Sequence, residues 1–435
     1  MRFHNNHIER LMRRGDPDAG PVSGSRATSA SLAAMNWLNF LTALMQTAFG
    51  AFLSVYLTTN GWSATDIGAV LGVGTVVAIA CQVPGGALLD WLHRARLAAS
   101  LAVAAIMASA TLMAIAPYRI PVAAAEFLQG AGASVLTPAI AALTLAISRH
   151  EKLGEKFGHN VRYAAVGSAV AAMAIAAAAR FSDAAGFWLA VACGVPALAA
   201  VWAIRVSDIG AAPTRTTHIA VLPRDARPRP LHPPHALVLD RAFLVFAGCM
   251  MLFHLGNAAL LPTAARAVAQ AGAQANLAIG VAIMVPQLLA AAFSPWVGRL
   301  ANHHGRRGLL LVGFAALPVR ALLFAFDSGP MPMALWQTLD GISAAVFGVI
   351  VPLTVADMTH RRGHFNLAMG AVGLLAALGA TASTVGAGVI ADMLGSQAAF
   401  LALAVAGVVA WTAVWCFMPE THPSTGQPSV APTPA

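Results

Sequence analysis

Gly86-Ala-Leu-Leu-Asp90-Trp-Leu-His-Arg94-Ala-Arg96 and Gly298-Arg-Leu-Ala-Asn302-His-His-Gly305-Arg306-Arg307 stand 212 residues apart, from 86 to 298. Each follows an apolar run and ends in arginines. A second pair, Leu128-Gln129-Gly130 and Leu339-Asp340-Gly341, lies 211 residues apart. A third opens two later runs: Asn160 is followed by Gly167, as Asn366 is by Gly373. Three matches in the same order indicate an internal duplication, and an undetected repeat misassigns a whole fold.

Outward from these motifs the chain is a succession of apolar stretches. A spanning helix needs about 20 mostly apolar residues. Twelve runs qualify: 31–57, 66–89, 97–117, 120–147, 161–180, 184–204, 242–264, 275–298, 308–326, 332–357, 366–391 and 397–418. We refer to them as spans 1 to 12. Of the 435 residues, 58% are hydrophobic and 10% charged, with a mean hydropathy of +0.71. Soluble domains carry about 25% charged residues, so a water-soluble fold would have almost nothing for its surface. The expected fold class is an all-α integral membrane protein of 12 transmembrane helices, in two pseudo-symmetric six-helix bundles. Ala and Gly suit helices that pack closely in lipid.

The net charge of +9 reports topology. Lys and Arg are retained on the cytoplasmic side, and with a cytoplasmic N-terminus all but four of the 26 (Arg119, Arg180, Arg266 and Arg320) fall in cytoplasmic segments. The clusters are short, without a basic face or aromatic interleaving, which excludes nucleic acid as a partner. The expected organisation is a cytoplasmic tail at 1–30, a six-helix bundle at 31–204, a Pro- and Arg-rich cytoplasmic linker at 205–241, a second bundle at 242–418 and a disordered tail at 419–435. The polar start, with Arg2, Arg10, Arg13, Arg14 and Arg26, is not a secretory signal. Cys81, Cys193, Cys249 and Cys416 lie in apolar runs as small buried hydrophobes. A ratio of 24 Arg to 2 Lys points to a GC-rich bacterium and its inner membrane.

With these motifs the chain resembles the major facilitator superfamily, from span 1 to span 12. The loop after span 2 is similar to the family's G-x-x-x-D-(R/K)-x-G-(R/K)-(R/K) through Gly86, Asp90, Arg94 and Arg96. The second copy keeps Gly298, Gly305, Arg306 and Arg307 but has Asn302 for the acid. In that family the loop is a conformational latch, and spans 1, 4, 7 and 10 line a central cavity. Asp90 would then sit at the N-terminus of span 11 near Asn366, where the helix dipole favours an anion, and Asn302 would do the same for span 5. The alternative is a positive-inside loop with a turn glycine. Span 5 reads Val166-Gly167-Ser168-Ala169-Val170 and lacks the Gly-Pro motif of the drug–proton antiporters. Glu126 stands where many of those carry Arg.

Polar groups within a membrane are costly and are functional candidates by default. Span 1 carries Asn36, Asn39 and Gln46, span 4 Glu126 and Gln129, span 7 His254 and Asn257, and span 10 Gln337 and Asp340. In each, the first two lie three residues apart on one helical face. Asn36, Asn39, Gln46, Gln129, His254, Asn257 and Gln337 are the candidate substrate cavity; interhelical hydrogen bonding is the alternative. Arg320 and Asp340 flank a short outer loop at similar depth and are expected to form a buried ion pair, either structural or in contact with substrate. Glu126 has no cation in the neighbouring span. An unpaired carboxyl in a low dielectric favours its protonated form, so Glu126 is the first candidate for proton coupling, with Asp340 and His254 as the others. A cationic-substrate site and a silent acid are the competing readings.

One charge crossing 100 mV supplies about 2.3 kcal/mol, and a pH unit about 1.4 kcal/mol, enough for a several-hundred-fold gradient. There is no G-x-x-x-x-G-K-[ST] loop and no metal-ligand spacing among the histidines. No catalytic residue, cofactor or metal is expected. The expected partners are a small-molecule substrate, protons and the bilayer, and two halves in one chain make a monomer sufficient. The reading is secondary transport by alternating access, a proton-coupled antiporter that exports. Its alternatives are a proton-coupled importer and a non-transporting sensor or assembly factor.

Overall fold

The computed structural model describes residues 28–49, 51–92, 94–148, 152–178, 181–208, 240–271, 275–327, 329–360 and 364–421. Most of the expected tails and linker (1–27, 209–239 and 422–435) therefore lie outside the described residues.

Among the described residues there are fourteen α-helices and one 3-10 turn at Val206–Asp208. In chain order the helices are α1 (Ser29–Thr47), α2 (Ala51–Thr59), α3 (Ala64–Leu92), α4 (Ala95–Ile115), α5 (Arg119–Ile147), α6 (Leu153–Ala178), α7 (Ala185–Ala203), α8 (Arg241–Asn257), α9 (Leu260–Ala271), α10 (Ala275–His304), α11 (Arg307–Phe326), α12 (Pro330–Thr359), α13 (Phe365–Leu394) and α14 (Ser396–Phe417). The first column of each half is broken, into α1–α2 and α8–α9. Among the described residues ten segments are long and apolar enough to cross a membrane; α1, α2 and α6 lie outside them. The second break is satisfied locally, since the Ala259 amide donates to Ser383 Oγ at 3.1 Å. A freed backbone group within a membrane needs such a partner.

Helix ends differ from the expected spans where polar residues lie inside a helix. Span 5 was expected at 161–180, yet α6 starts at Leu153, because Glu155, Lys156, His159 and Asn160 occupy its first turns. A hydropathy reading starts where the apolar run starts, and the helix starts earlier.

Packing repeats between the halves. In the N-terminal half α1 packs on α6 and α7, α5 on α3 and α4, and α4 on α7. In the C-terminal half α8 packs on α13 and α14, α12 on α10 and α11, and α11 on α14. Each half has its own apolar core, one around Leu38, Met45, Ile106 and Met113, the other around Phe246, Phe253, Phe314 and Phe324. Between the halves α6 meets α10 and α3 meets α13, and these pairs too exchange under the pseudo-twofold.

The close approaches across that interface fix the register of the repeat. A side chain on Gly86 or Gly370 of this interface would run into the backbone of Asn366 or Gln82, and one on Gly154 or Gly158 into that of Gly298 or Ser294. Gly154 thus corresponds to Asn366 and Gly158 to Gly370, a spacing of 212 that matches the loop motif. The Asn160/Asn366 pairing read from sequence is out of register by six residues and is corrected here. Within the halves, Gly167 abuts the Phe40 backbone and Gly379 that of Met251, setting 211 for α1 against α8.

All these interface approaches lie at the end of the bundle where α1 starts and α14 finishes, here called the terminal end. Toward the opposite end, a side chain on Gly68, Gly72, Gly280 or Gly386 would meet nothing within 4 Å. The halves are zipped at the terminal end.

Candidate functional site

Four helices of the C-terminal half converge on Arg320, which is 2% exposed. Its Nη1 pairs with Asp340 Oδ1 and donates to Gln337 Oε1 at 3.2 Å, while Nη2 donates to Asn257 Oδ1. Gln337 Nε2 in turn donates to the Ala282 carbonyl at 3.2 Å. The result is one network joining α8, α10, α11 and α12. Gln337, at 1% exposed, is consumed by it and does not face a cavity, which corrects its expected role. The Asp340 side chain is 28% exposed and keeps an open side. His254, half-buried, lies one turn before Asn257 on the same face of α8.

The N-terminal half holds the complementary arrangement. Glu126 on α5 is 5% exposed and its Oε1 has no hydrogen-bond partner. Its carboxyl occupies the space beside Gly74 of α3, where any side chain would collide with it. By the 211-residue register Glu126 corresponds to Gln337 and Ser109 to Arg320. Ser109 donates to the Ala125 carbonyl at 2.7 Å, so the position that supplies a cation in one half supplies a neutral hydroxyl in the other. Arg119, the cation nearest in sequence, pairs with Asp66 at 2.8 Å instead. A carboxylate ionised at this place would be buried without compensation.

The remaining cavity candidates divide. Gln46 and Gln129 are half-buried on α1 and α5. Asn39 is 6% exposed and its Nδ2 donates to the Met35 carbonyl of its own helix at 2.8 Å, which removes it from the expected cavity. Asn36 lies near the terminal end against Lys156 and His159, away from the Arg320 network.

At the terminal end, Asp90 accepts from the Asn366 amide at 3.2 Å, from Asn366 Nδ2 at 2.8 Å and from the Leu367 amide at 2.8 Å. A carboxylate thus sits on the first turn of α13, the place expected for it. On the pseudo-symmetric side Asn302 Oδ1 accepts from the Gly154 amide at 3.1 Å, at the start of α6. Gly86 and Gly298 allow the two helix pairs to touch.

Arg96, Arg306 and Arg307 of these loops bond within their own half. Arg96 Nη2 donates to the Trp202 carbonyl at 3.0 Å and its guanidinium lies 4.8 Å from that indole's ring centre. Arg307 Nη2 donates to the Trp415 carbonyl. Both therefore close the C-terminal end of the last helix of their own half, where cations are favoured. Arg94 is exposed beside the start of α4. Arg306 Nε pairs with Asp357 Oδ2 at 2.9 Å, and Glu420 accepts from the Arg306 and Arg307 amides at 2.8 and 3.2 Å, capping α11 beside Gly305 with its positive φ of 82°. Asp357 and Glu420 were not assigned these roles from sequence. Their signal is faint: an acid at the last turn of span 10 and another just past span 12.

A third such acid is Asp208. Its Oδ2 accepts from the Thr28 amide at 2.9 Å, Thr28 Oγ1 at 2.6 Å and Ser31 Oγ at 2.7 Å, tying the end of the first half to its beginning. These hydrogen bonds, Thr28's first, hold its carboxyl down at a pKa of about 2.

Comparison with known proteins agrees with this architecture. The model of the family described as Major Facilitator Superfamily matches residues 35–265 and 246–434. An uncharacterised MFS-type transporter of Mycobacterium tuberculosis is 30% identical over 407 residues, covering 92% of this chain and 96% of that protein. The class B tetracycline resistance protein of Escherichia coli is 32% identical over 80 residues, 18% of this chain and 20% of that protein. Among solved structures, a double-Trp mutant of XylE superposes with a TM-score of 0.69 at 14% identity, covering 90% of this chain and 95% of that one. The human organic anion transporter MFSD10 gives 0.66 at 15% identity, with 90% and 99% covered. The duplicated six-helix halves, the loop motif at both copies and the match along nearly the whole chain place this protein in the Major Facilitator Superfamily.

Proposed function

We propose that the protein is a proton-coupled antiporter that exports a small molecule by alternating access, with Glu126 carrying the proton. The observation that carries this reading is the buried Glu126 carboxyl beside Gly74, unpartnered at Oε1, in a half whose equivalent of Arg320 is Ser109. Such a group holds a proton while it is buried and releases it when its surroundings open to water. The bound molecule would lie between the halves near mid-membrane, against Gln46, Gln129, His254 and the open side of Asp340. The Arg320 network would fix the helices that carry His254 and Asp340.

The terminal end, rich in Arg, is taken as cytoplasmic by the positive-inside rule, and the membrane as a bacterial inner membrane. The zipped conformation then opens outward. The stretch shared with a tetracycline resistance protein supports export. Inside-out membrane vesicles with an imposed acidic interior test the direction. Uptake of tetracycline or another lipophilic compound that collapses with the pH gradient and is lost in Glu126→Gln is the expected result. Uptake driven only by the opposite gradient would mean import, and gradient-independent behaviour of every compound would favour a non-transporting role.

A further inference from the structure

The pseudo-twofold provides an internal comparison for each buried position, and at one place the halves differ in polarity at five positions. Near the terminal end α1, α5 and α6 enclose a cavity of about 90 Å³ lined by Asn36, Thr144, Ser148, Lys156, His159 and Asn160. By the registers above, the C-terminal half carries Ala247, Val355, Thr359, Ala368, Ala371 and Val372 at these positions. Ala247, Val355 and Ala368 are fully buried there and Val372 is 3% exposed. Apart from Thr359, which keeps a hydroxyl at the counterpart of Ser148, the fold packs this corner with apolar side chains in one half, so the polarity of the other five positions is not a packing requirement.

The donors are arranged for an anion. Lys156 is one of the chain's 2 lysines, and among the described residues no carboxylate pairs with it. Ser148 Oγ is buried without a hydrogen-bond partner. Asn160 Nδ2 is already committed to Thr144 Oγ1 at 2.7 Å, and Asn36 also lines the space. His159 Nε2 lies 3.9 Å from Glu155 Oε1. A volume of about 90 Å³ corresponds to roughly three waters. It accommodates a single oxyanion and is smaller than the pockets of drug-sized molecules, which start near 300 Å³. None of its lining residues belongs to the Arg320 network.

We propose that the cavity binds a phosphate-type oxyanion held by Lys156, Ser148 and Asn36, with His159 as a further donor. The anion would brace α6 against α1 and α5, and α6 is the helix that meets α10 across the halves. Free phosphate and a phospholipid headgroup present the same chemistry. The test is thermal unfolding of the purified full-length protein. Inorganic phosphate is titrated against sodium chloride of equal ionic strength, and nanodiscs of phosphatidylcholine are compared with nanodiscs containing phosphatidylglycerol. The variants are Lys156→Ala, which installs the residue the other half carries, and Lys152→Ala as a control of equal charge.

Stabilisation by phosphate in the native protein and in K152A, with at least a fivefold weaker midpoint in K156A, identifies a free anion. Stabilisation by phosphatidylglycerol alone, lost in K156A and kept in K152A, identifies a headgroup. Absence of both effects, or an equal response in K156A, overturns the proposal.

Discussion

At Arg320 one guanidinium satisfies Asp340, Gln337 and Asn257 together, so its removal leaves a carboxylate without its counterion. Breaking a buried pair from one side costs about 3–5 kcal/mol. Arg320→Met should lower the unfolding temperature sharply, and the double change with Asp340→Asn should recover part of the loss. Thermal unfolding in detergent measures both. Glu126 presents the opposite case. Because Oε1 has no partner, Glu126→Gln removes no ion pair and should leave the unfolding temperature within a degree or two of the native value.

Asp208 adds a pH dependence of known sign. Its carboxyl is held near a pKa of 2, below the ordinary value of 3.8. Its contribution is therefore complete above about pH 4 and is lost as pH falls through about 2. The difference in unfolding temperature between the native protein and Asp208→Asn should be constant from neutral pH to about 4 and shrink below it.

At the scale of elements, the terminal end is closed by two helix pairs whose caps differ in charge. A carboxylate on a helix N-terminus is worth about 0.3–2 kcal/mol. Asp90→Asn keeps the geometry of the cap on α13 and removes that term, so it should shift the population toward an open terminal end by about two- to thirty-fold. Gly86→Val should act more strongly, since its side chain meets the Asn366 backbone. Spin-label distances between the ends of α3 and α13 measure both; an unchanged distribution in Gly86→Val would contradict the zipped arrangement.

Much at this scale was legible in the sequence. Gly86, Asp90, Gly298 and Asn302 carry the motif at both copies, and a helix dipole tells an acid there where to sit. The start of α6 was not legible, because its first turns look like a loop to any measure of hydropathy. Nor was the six-residue error in matching α6 to α13, since an Asn–Gly spacing recurs by chance while backbone contact at glycine does not. The partners of the loop arginines were not legible, because a motif shows which residues recur, not which carbonyl each one reaches. Arg96 with Trp202 and Arg307 with Trp415 repeat at nearly the same spacing, a signal available in the sequence but meaningful only once the helix ends are known.

Over the whole molecule the halves share one packing plan and differ in their charges. The C-terminal half holds a neutralised network that joins four of its helices, and the N-terminal half holds an acid without a cation. Such a division suits a carrier in which one half is a fixed frame and the other exchanges a proton as the halves rock. Of the candidate site, Glu126, Asp340 and Arg320 could be named from sequence because charge in a membrane is rare. Asn36, Asn39 and Gln337 could not be sorted, because a polar residue on a cavity helix looks the same whether it faces the cavity, its own backbone or a neighbouring side chain.

Proton release on substrate binding tests this division most directly. Purified protein in weakly buffered solution with a pH dye is mixed with tetracycline and a panel of lipophilic compounds, alongside Glu126→Gln and Asp340→Asn. Release of about one proton per bound molecule, kept in Asp340→Asn and absent in Glu126→Gln while that variant still binds, is the predicted result. Release that persists in Glu126→Gln would move the proton to Asp340 or His254 and contradict the assignment.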